Sequence, residues 1–182
     1  MTTVDETPRE ADHEPIDEVA AAVGERFPGA VAATSLGQVV VHVDREVLAD
    51  VARFLRDEER FTMCVDITAV DHLRTPTRTL PAGVAPERFE VVANFLSHAR
   101  NRRIRIVTQV PAADPVVPSL TGVYPGTEFP ERETFDLLGI SFAGHPDLTR
   151  ILMPDDWIGH PLRKDAPAAR VPVTFKGSPS PR

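Results

Sequence analysis

Residues 88–110 read Arg-Phe-Glu-Val-Val-Ala-Asn-Phe-Leu-Ser-His-Ala-Arg-Asn-Arg-Arg-Ile-Arg-Ile-Val-Thr-Gln-Val. Two strand-forming runs, 88–97 and 102–110, flank the short polar turn His98–Asn101, so they pair as antiparallel neighbours. Working back from this hairpin, residues 62–70 (Thr-Met-Cys-Val-Asp-Ile-Thr-Ala-Val) form another strand, and 74–87 is a proline-containing loop. Residues 30–35 and 38–43 are short apolar or β-branched runs broken at Gly37, a second hairpin. Two helices complete this part. Ile16, Val19, Ala20, Val23 and Phe27 follow helical spacing over 15–26, with Pro15 in the first turn and Phe27-Pro28-Gly29 as the stop. Asp44 can cap a helix over 45–58 whose buried stripe is Val47, Val51, Phe54 and Leu55. The order α-β-β-α-β-β-β predicts a two-layer α+β domain with both helices on one face of a mixed, mostly antiparallel sheet.

The chain has 182 residues, enough for one core, and its 42% apolar and 26% charged content excludes a disordered, collagenous or coiled-coil chain. No stretch approaches the roughly 20 uninterrupted apolar residues of a membrane span. Six of the 18 prolines fall in residues 1–110 and twelve in 111–182, so the last part is expected to be mostly extended. The net charge of −7 is uneven: residues 1–20 hold seven acids and one base, which leaves 20 acids against 19 bases elsewhere. An acidic leader over 1–14 with no apolar core resembles no export or transit signal, which predicts a disordered leader on a protein kept in the bacterial cytoplasm. Cys64 is the only cysteine, so the chain alone can form neither a disulfide nor a cysteine-ligated cluster or zinc site.

Downstream, residues 127–139 read Thr-Glu-Phe-Pro-Glu-Arg-Glu-Thr-Phe-Asp-Leu-Leu-Gly. Thr127 is the expected N-cap, Glu128 and Glu131 suit the positive helix end, and Gly139 is the left-handed residue of a Schellman stop with Ile140 against Phe135. Beyond it, Gly144-His145-Pro146 and Gly159-His160-Pro161 repeat one tripeptide fifteen residues apart. Between and after them lie Asp147, Arg150, Asp155, Asp156, Trp157, Arg163, Lys164 and Asp165. A strap so interrupted by proline cannot satisfy its own backbone and needs another surface to order it. The organisation expected is thus a leader over 1–14, an α+β domain over 15–126, a short helix over 127–139, and an extended proline-rich strap and tail over 140–182.

The run Glu131-Arg132-Glu133, Phe135-Asp136-Leu137-Leu138-Gly139-Ile140, Phe142, Gly144-His145-Pro146-Asp147-Leu148, Arg150-Ile151-Leu152-Met153-Pro154, Asp156-Trp157 and Gly159-His160-Pro161-Leu162-Arg163-Lys164-Asp165 is similar to the signature of the C subunit of respiratory complex I. Phe129 and Thr134 depart from that pattern, where the family more often has tryptophan and an apolar residue. The resemblance implies a cofactor-free, non-catalytic subunit in the peripheral arm of a proton-translocating NADH:quinone oxidoreductase. It places FMN, the iron–sulfur clusters and quinone in other subunits. It implies a position on the cytoplasmic side of the bacterial membrane, held there only through the complex, with no activity expected of the chain alone. The implied partners are the quinone-site subunit and its peripheral-arm neighbours. The proposed contact residues are Arg132, Asp136, His145, Asp147, Arg150, Asp156, Trp157, His160, Arg163, Lys164 and Asp165. Because the chain stops at Arg182, it is expected to lack the fused quinone-site subunit of some relatives.

The same residues admit other chemistries. His145 and His160 with Asp147 or Asp156 offer imidazole and carboxylate ligands to a metal, the basis of a stand-alone metal enzyme, but histidine before proline is more simply a turn residue. Glu131 and Glu133 are two apart and so on different helix faces, while Arg132 and Asp136 are spaced as an i, i+4 pair. Asp71-His72 has no nucleophile beside it and reads as a polar strand end. Arg100, Arg102, Arg103 and Arg105 form a basic hairpin, yet the chain is acidic and alternation puts only Arg103 and Arg105 on one face, which argues against nucleic acid. No Walker A or G-x-G-x-x-G sequence is present, so no nucleotide or NADH binding is expected. The nearer rival to a complex I subunit is the equivalent subunit of a membrane-bound hydrogenase or F420-linked dehydrogenase complex.

Overall fold

The computed structural model describes residues 17–166. The predicted leader over 1–14 and the tail after 166 lie outside the described residues. Helix α1 (Glu18–Arg26) starts later than Pro15, because the Asp17 carboxylate accepts from Val19 N at 2.9 Å and Ala20 N at 3.4 Å and so occupies the N-cap. Strands β1 (Val31–Ser35) and β2 (Gln38–His42) form the hairpin expected around Gly37. Asp44 is not a side-chain cap: the chain makes a 3-10 turn at Arg45–Val47, and α2 (Leu48–Asp57) follows. Val51 and Leu55 are buried as expected, Leu48 and Ala52 join them, and Phe54 stays half-buried, edge-on to Phe27 at 5.8 Å.

Strand β3 (Met63–Asp71), the loop 72–88, β4 (Phe89–Ser97) and β5 (Arg102–Val110) complete a five-stranded sheet of order β1-β2-β5-β4-β3. β2 and β5 run parallel and the other pairs antiparallel, so the sheet is mixed, as expected. Alternation divides its residues. Phe89, Val91, Ala93 and Phe95 of β4, with Ile104 and Ile106 of β5, pack inward with Val19, Val23, Leu48, Val51 and Leu55 of the two helices. The residues between them, Glu90, Val92, Arg105, Val107 and Gln109, form the outer face, which the register extends to Val40 and His42.

Two short strands depart from the sequence expectation. β6 (Val116–Pro118) pairs in parallel with β7 (Ser141–Ala143), so the segment after 139 is not wholly extended and unpaired. Three residues are too few to show a period, and Pro118 argues against a strand. Between them, Tyr124 donates its hydroxyl to Phe61 O at 2.7 Å with its ring 5.2 Å from Phe95, which fixes the approach to α3 (Glu128–Leu138). Thr127 does not cap α3 with its side chain; its Oγ1 lies 3.0 Å from Tyr124 O and 2.9 Å from Glu131 Oε1. Gly139 is left-handed at φ 71°, as expected, but it closes the helix by a single bond from its N–H to Phe135 O at 2.8 Å. This is the αL stop and not the Schellman stop. The Asp136 carbonyl that a Schellman pair would use is already taken by His160 Nδ1 at 2.9 Å and Arg150 Nη1 at 3.3 Å.

Candidate interaction surface

The strap runs beside α3 in the same direction, and the repeated Gly-His-Pro tripeptides clamp its two ends. His145 Nε2 donates to Glu128 O at 3.0 Å while its Nδ1 accepts from Asp147 N at 3.0 Å, which uses both ring nitrogens. At the other end His160 Nδ1 donates to Asp136 O, Leu162 N to Leu137 O at 3.0 Å, and Arg163 to Leu138 O at 2.6 Å and Gly139 O at 3.1 Å. Four consecutive carbonyls at a helix C-terminus, which ordinarily lack partners, are thereby satisfied by the strap.

Midway, Asp136 is the anchor. Its Oδ2 accepts from Ile151 N, Leu152 N and Met153 N at 2.8–3.0 Å, and its Oδ1 meets Arg150 Nη1 at 2.6 Å. The carboxylate is fully buried. Burial works to raise its pKa, but the three backbone N–H groups and Arg150 outweigh it and hold the group at about 2. The expected Arg132–Asp136 pair is not made: Arg132 reaches across to Thr149 O, Thr149 Oγ1 and Arg150 O, because the strap offers acceptors on that side.

A second buried carboxylate ties the end of the strap to the sheet. Asp71, at the end of β3, accepts from Lys164 N at 2.8 Å, Leu73 N at 3.0 Å and the Arg88 guanidinium at 2.9 and 3.1 Å. These bonds overcome the effect of burial and hold its pKa at about 2 as well. Arg88 also binds Asp165 at 2.7 Å, which draws that exposed carboxyl below its usual range. A third carboxylate, Glu131, is fully buried on the inner side of α3, where Ser119 Oγ and Leu120 N donate to it at 2.6 and 2.7 Å. Burial pushes its pKa up, against those bonds.

The structure thus brings Arg132, Asp136, His145, Arg150, His160 and Arg163 together as internal fastenings of the strap. Asp147, Asp156, Trp157, Lys164 and Asp165 are exposed. So are Ile151 (38%), Leu152 (55%), Ile158 (95%) and Leu162 (53%), an unusual outward display of large apolar side chains on one fastened segment. Sequence reasoning misses Asp71 and Glu131 as buried anchors, although signals are there. Alternation puts Asp71 on the same face as Ile67 and Ala69, and Thr127, Glu131, Thr134 and Leu138 share one helix face. The basic hairpin makes local bonds instead: Arg100 to Glu59, Arg102 to Asp17, and Arg105 to Asn94 and Gln38. No group of three or more His, Cys, Asp or Glu side chains among the described residues is arranged to hold a metal ion. No helix among them is long and apolar enough to cross a membrane.

Comparison with known proteins identifies this arrangement. The chain is 48% identical over 147 residues to the NADH-quinone oxidoreductase C subunit of a Nocardioides species, covering 80% of this chain and 55% of that one. It is 42% identical over 172 residues to the Salinispora arenicola protein of the same name, covering 91% and 66%. It therefore spans between about half and two thirds of the length of these relatives. Among solved structures, a trypsin-resistant fragment of Nqo5 superposes with a TM-score of 0.58 at 30% identity, covering 70% of this chain and 96% of the fragment. A chain of an archaeal membrane-bound sulfane sulfur reductase shares the fold, with a TM-score of 0.59 at 22% identity over 76% of each chain. The family described as the respiratory-chain NADH dehydrogenase 30 Kd subunit matches residues 41–171, which include strands β3 to β5 of the sheet, α3 and the strap, and the chain belongs to that family.

Proposed function

We propose that this chain is a cofactor-free structural subunit in the peripheral arm of a proton-translocating NADH:quinone oxidoreductase, where it packs on the quinone-site subunit. FMN, the iron–sulfur centres and quinone are carried by other subunits. The complex holds the chain at the cytoplasmic side of the bacterial membrane, and the chain alone oxidises no NADH. Its contribution is preorganisation: a fixed surface keeps a neighbouring subunit in place, and with it the distances along which electrons move.

The observation that carries this reading is a strap held from behind by two buried carboxylates while Ile151, Leu152, Trp157, Ile158 and Leu162 face outward. An aromatic and aliphatic centre with charged residues around it is the composition of an interface core and rim. Asp147, Asp156, Trp157, Lys164 and Asp165 meet the partner directly. Arg132, Asp136, His145, Arg150, His160 and Arg163 shape the surface from beneath.

The test is a Trp157→Ala, Ile158→Asp double variant. Its circular dichroism should match the unsubstituted chain, while its affinity for the quinone-site subunit falls at least about 30-fold, or about 2 kcal/mol. Undiminished assembly would remove this surface from the interface. Mass spectrometry of the subunits that co-purify in mild detergent identifies the complex; hydrogenase or F420-linked partners would assign the chain to that related class instead.

A further inference from the structure

The loop 72–88 lies over the outer sheet face, and a set of titratable groups is enclosed beneath it. Val40 and Val107 sit on that outer face, away from the helical core, yet are only 5% and 3% exposed. The loop extends as far as β1, where a Cβ on Gly83 would touch Val31. Its fastening to the sheet is polar. Arg78 donates to Gln109 Oε1 at 2.6 Å and to Glu87 O at 2.9 Å, and Glu87 N donates to the same Gln109 oxygen at 3.2 Å. Gln109 Nε2 in turn donates to Glu90 Oε2 at 2.7 Å.

Two histidines complete the cluster. His42 on β2 is 8% exposed and neighbours Val107 in the register, one row from the Gln109–Glu90 pair. His72, the first residue of the loop, places Nε2 3.8 Å from Glu90 Oε2 and Nδ1 3.1 Å from Thr75 Oγ1. His42 Nδ1, His72 Nε2 and Arg78 Nε are buried without a hydrogen-bond partner. The anion central to the cluster is Glu90, with Arg78 Nη2 3.7 Å from it. Asp71 adjoins His72 in the chain, but its carboxylate is engaged by Arg88, Leu73 N and Lys164 N. Asp44, Arg45, Glu46 and Glu87 line the cleft beside His42, and Arg45 is paired with Glu46 and Asp114.

We propose that the loop 72–88 is a proton-sensitive cover: when His42 and His72 take up protons, it lifts from the outer sheet face. Closed, the interface already holds one cation, Arg78, against Glu90. Two imidazolium ions would add two buried positive charges with no further anion at the centre. Burial is the first cause holding both rings below the ordinary histidine range. Arg78 adds to it, while Glu90 opposes, joined at His72 by Asp71. The sign follows from the depressed values. The closed state has its full stability above about pH 6.5, where both rings are neutral in either state, and loses it as the pH falls below that point. Lifting also reaches the strap, since Leu73 N shares Asp71 with Lys164 N and Arg74 donates to Lys164 O at 3.3 Å.

The experiment is amide hydrogen exchange of the full chain between pH 7.5 and 5.5, with each rate corrected for intrinsic exchange. The amides read are Thr75 and Glu87, which donate to His72 O and Gln109 Oε1. Below pH 6.5 the opening equilibrium should rise by up to about 10-fold per pH unit for each histidine, approaching about 100-fold with both. His42→Gln or His72→Gln alone should halve the logarithmic slope, and the double variant should abolish it. A flat slope in the unsubstituted chain, or one that survives in the double variant, overturns the proposal. Imidazole titration by NMR in the unsubstituted chain is an independent check: both rings should titrate below pH 6.5, and either one at or above that value refutes the cover.

Discussion

Asp136 shows how one side chain can order a segment that lacks regular structure. Its two oxygens gather three consecutive strap N–H groups and a guanidinium, a set of donors that leaves little reason for a proton to bind. Asp136→Asn keeps the size but removes the charge and one acceptor, leaving Arg150 partly buried without its anion. It should cost about 3 kcal/mol in urea unfolding, within the range for breaking a buried pair. The same chemistry sets an acid limit. Asp71 and Asp136 are held at about 2 in the fold against an ordinary value near 4. Each therefore contributes stability that is complete above about pH 4 and disappears as the pH drops through about 2, roughly 2 to 3 kcal/mol apiece. Urea midpoints measured between pH 5 and 2.5 should fall steeply for the unsubstituted chain and less steeply for Asp136→Asn.

Among the elements, α3 and its stop are the most exposed to a small change. Gly139 has a positive φ, and a Cβ there would lie 2.5 Å from the Arg163 guanidinium and the His160 ring. Gly139→Ala meets two penalties at once, a left-handed backbone and a displaced strap, and should destabilise the chain by about 2 to 4 kcal/mol while raising tryptic cleavage at Arg163 and Lys164. The helix itself is legible in the sequence: its proline near the start and glycine at the end are local signals, as are the 88–110 hairpin and the stripes of α1 and α2. What joins these elements is not. The parallel pairing of β2 with β5, the β6–β7 ribbon and the second partner of each strap residue depend on chain segments tens of positions apart. Arg132 and Asp136 illustrate this, since their spacing suggests an ion pair until the strap supplies each with a better partner.

At the scale of the molecule, sheet, α3 and strap should unfold together, because the strap is fastened along α3 and again at Asp71. Trp157 is the only tryptophan, so its fluorescence reports the strap without background. In urea at pH 7, the Trp157 signal and far-ultraviolet circular dichroism should give coincident transitions. Near pH 3 the tryptophan transition should come first, as the two carboxylates begin to take up protons. A strap transition well ahead of the sheet at neutral pH would mean that the fastenings add little. Asp71 carries a further consequence, in time. Arg88 is 17 positions from it and Lys164 is 93 positions away. At a synthesis rate of about 5 to 20 residues per second, the ribosome makes Lys164 roughly 5 to 20 s after Asp71. From the synthesis of Val110 to that of Lys164 the nascent chain holds all five sheet strands but not the end of the strap, with Arg88 available to the carboxylate. Any partner docking on the strap would meet a chain whose sheet strands are already made, so the last fastening to form would also time assembly.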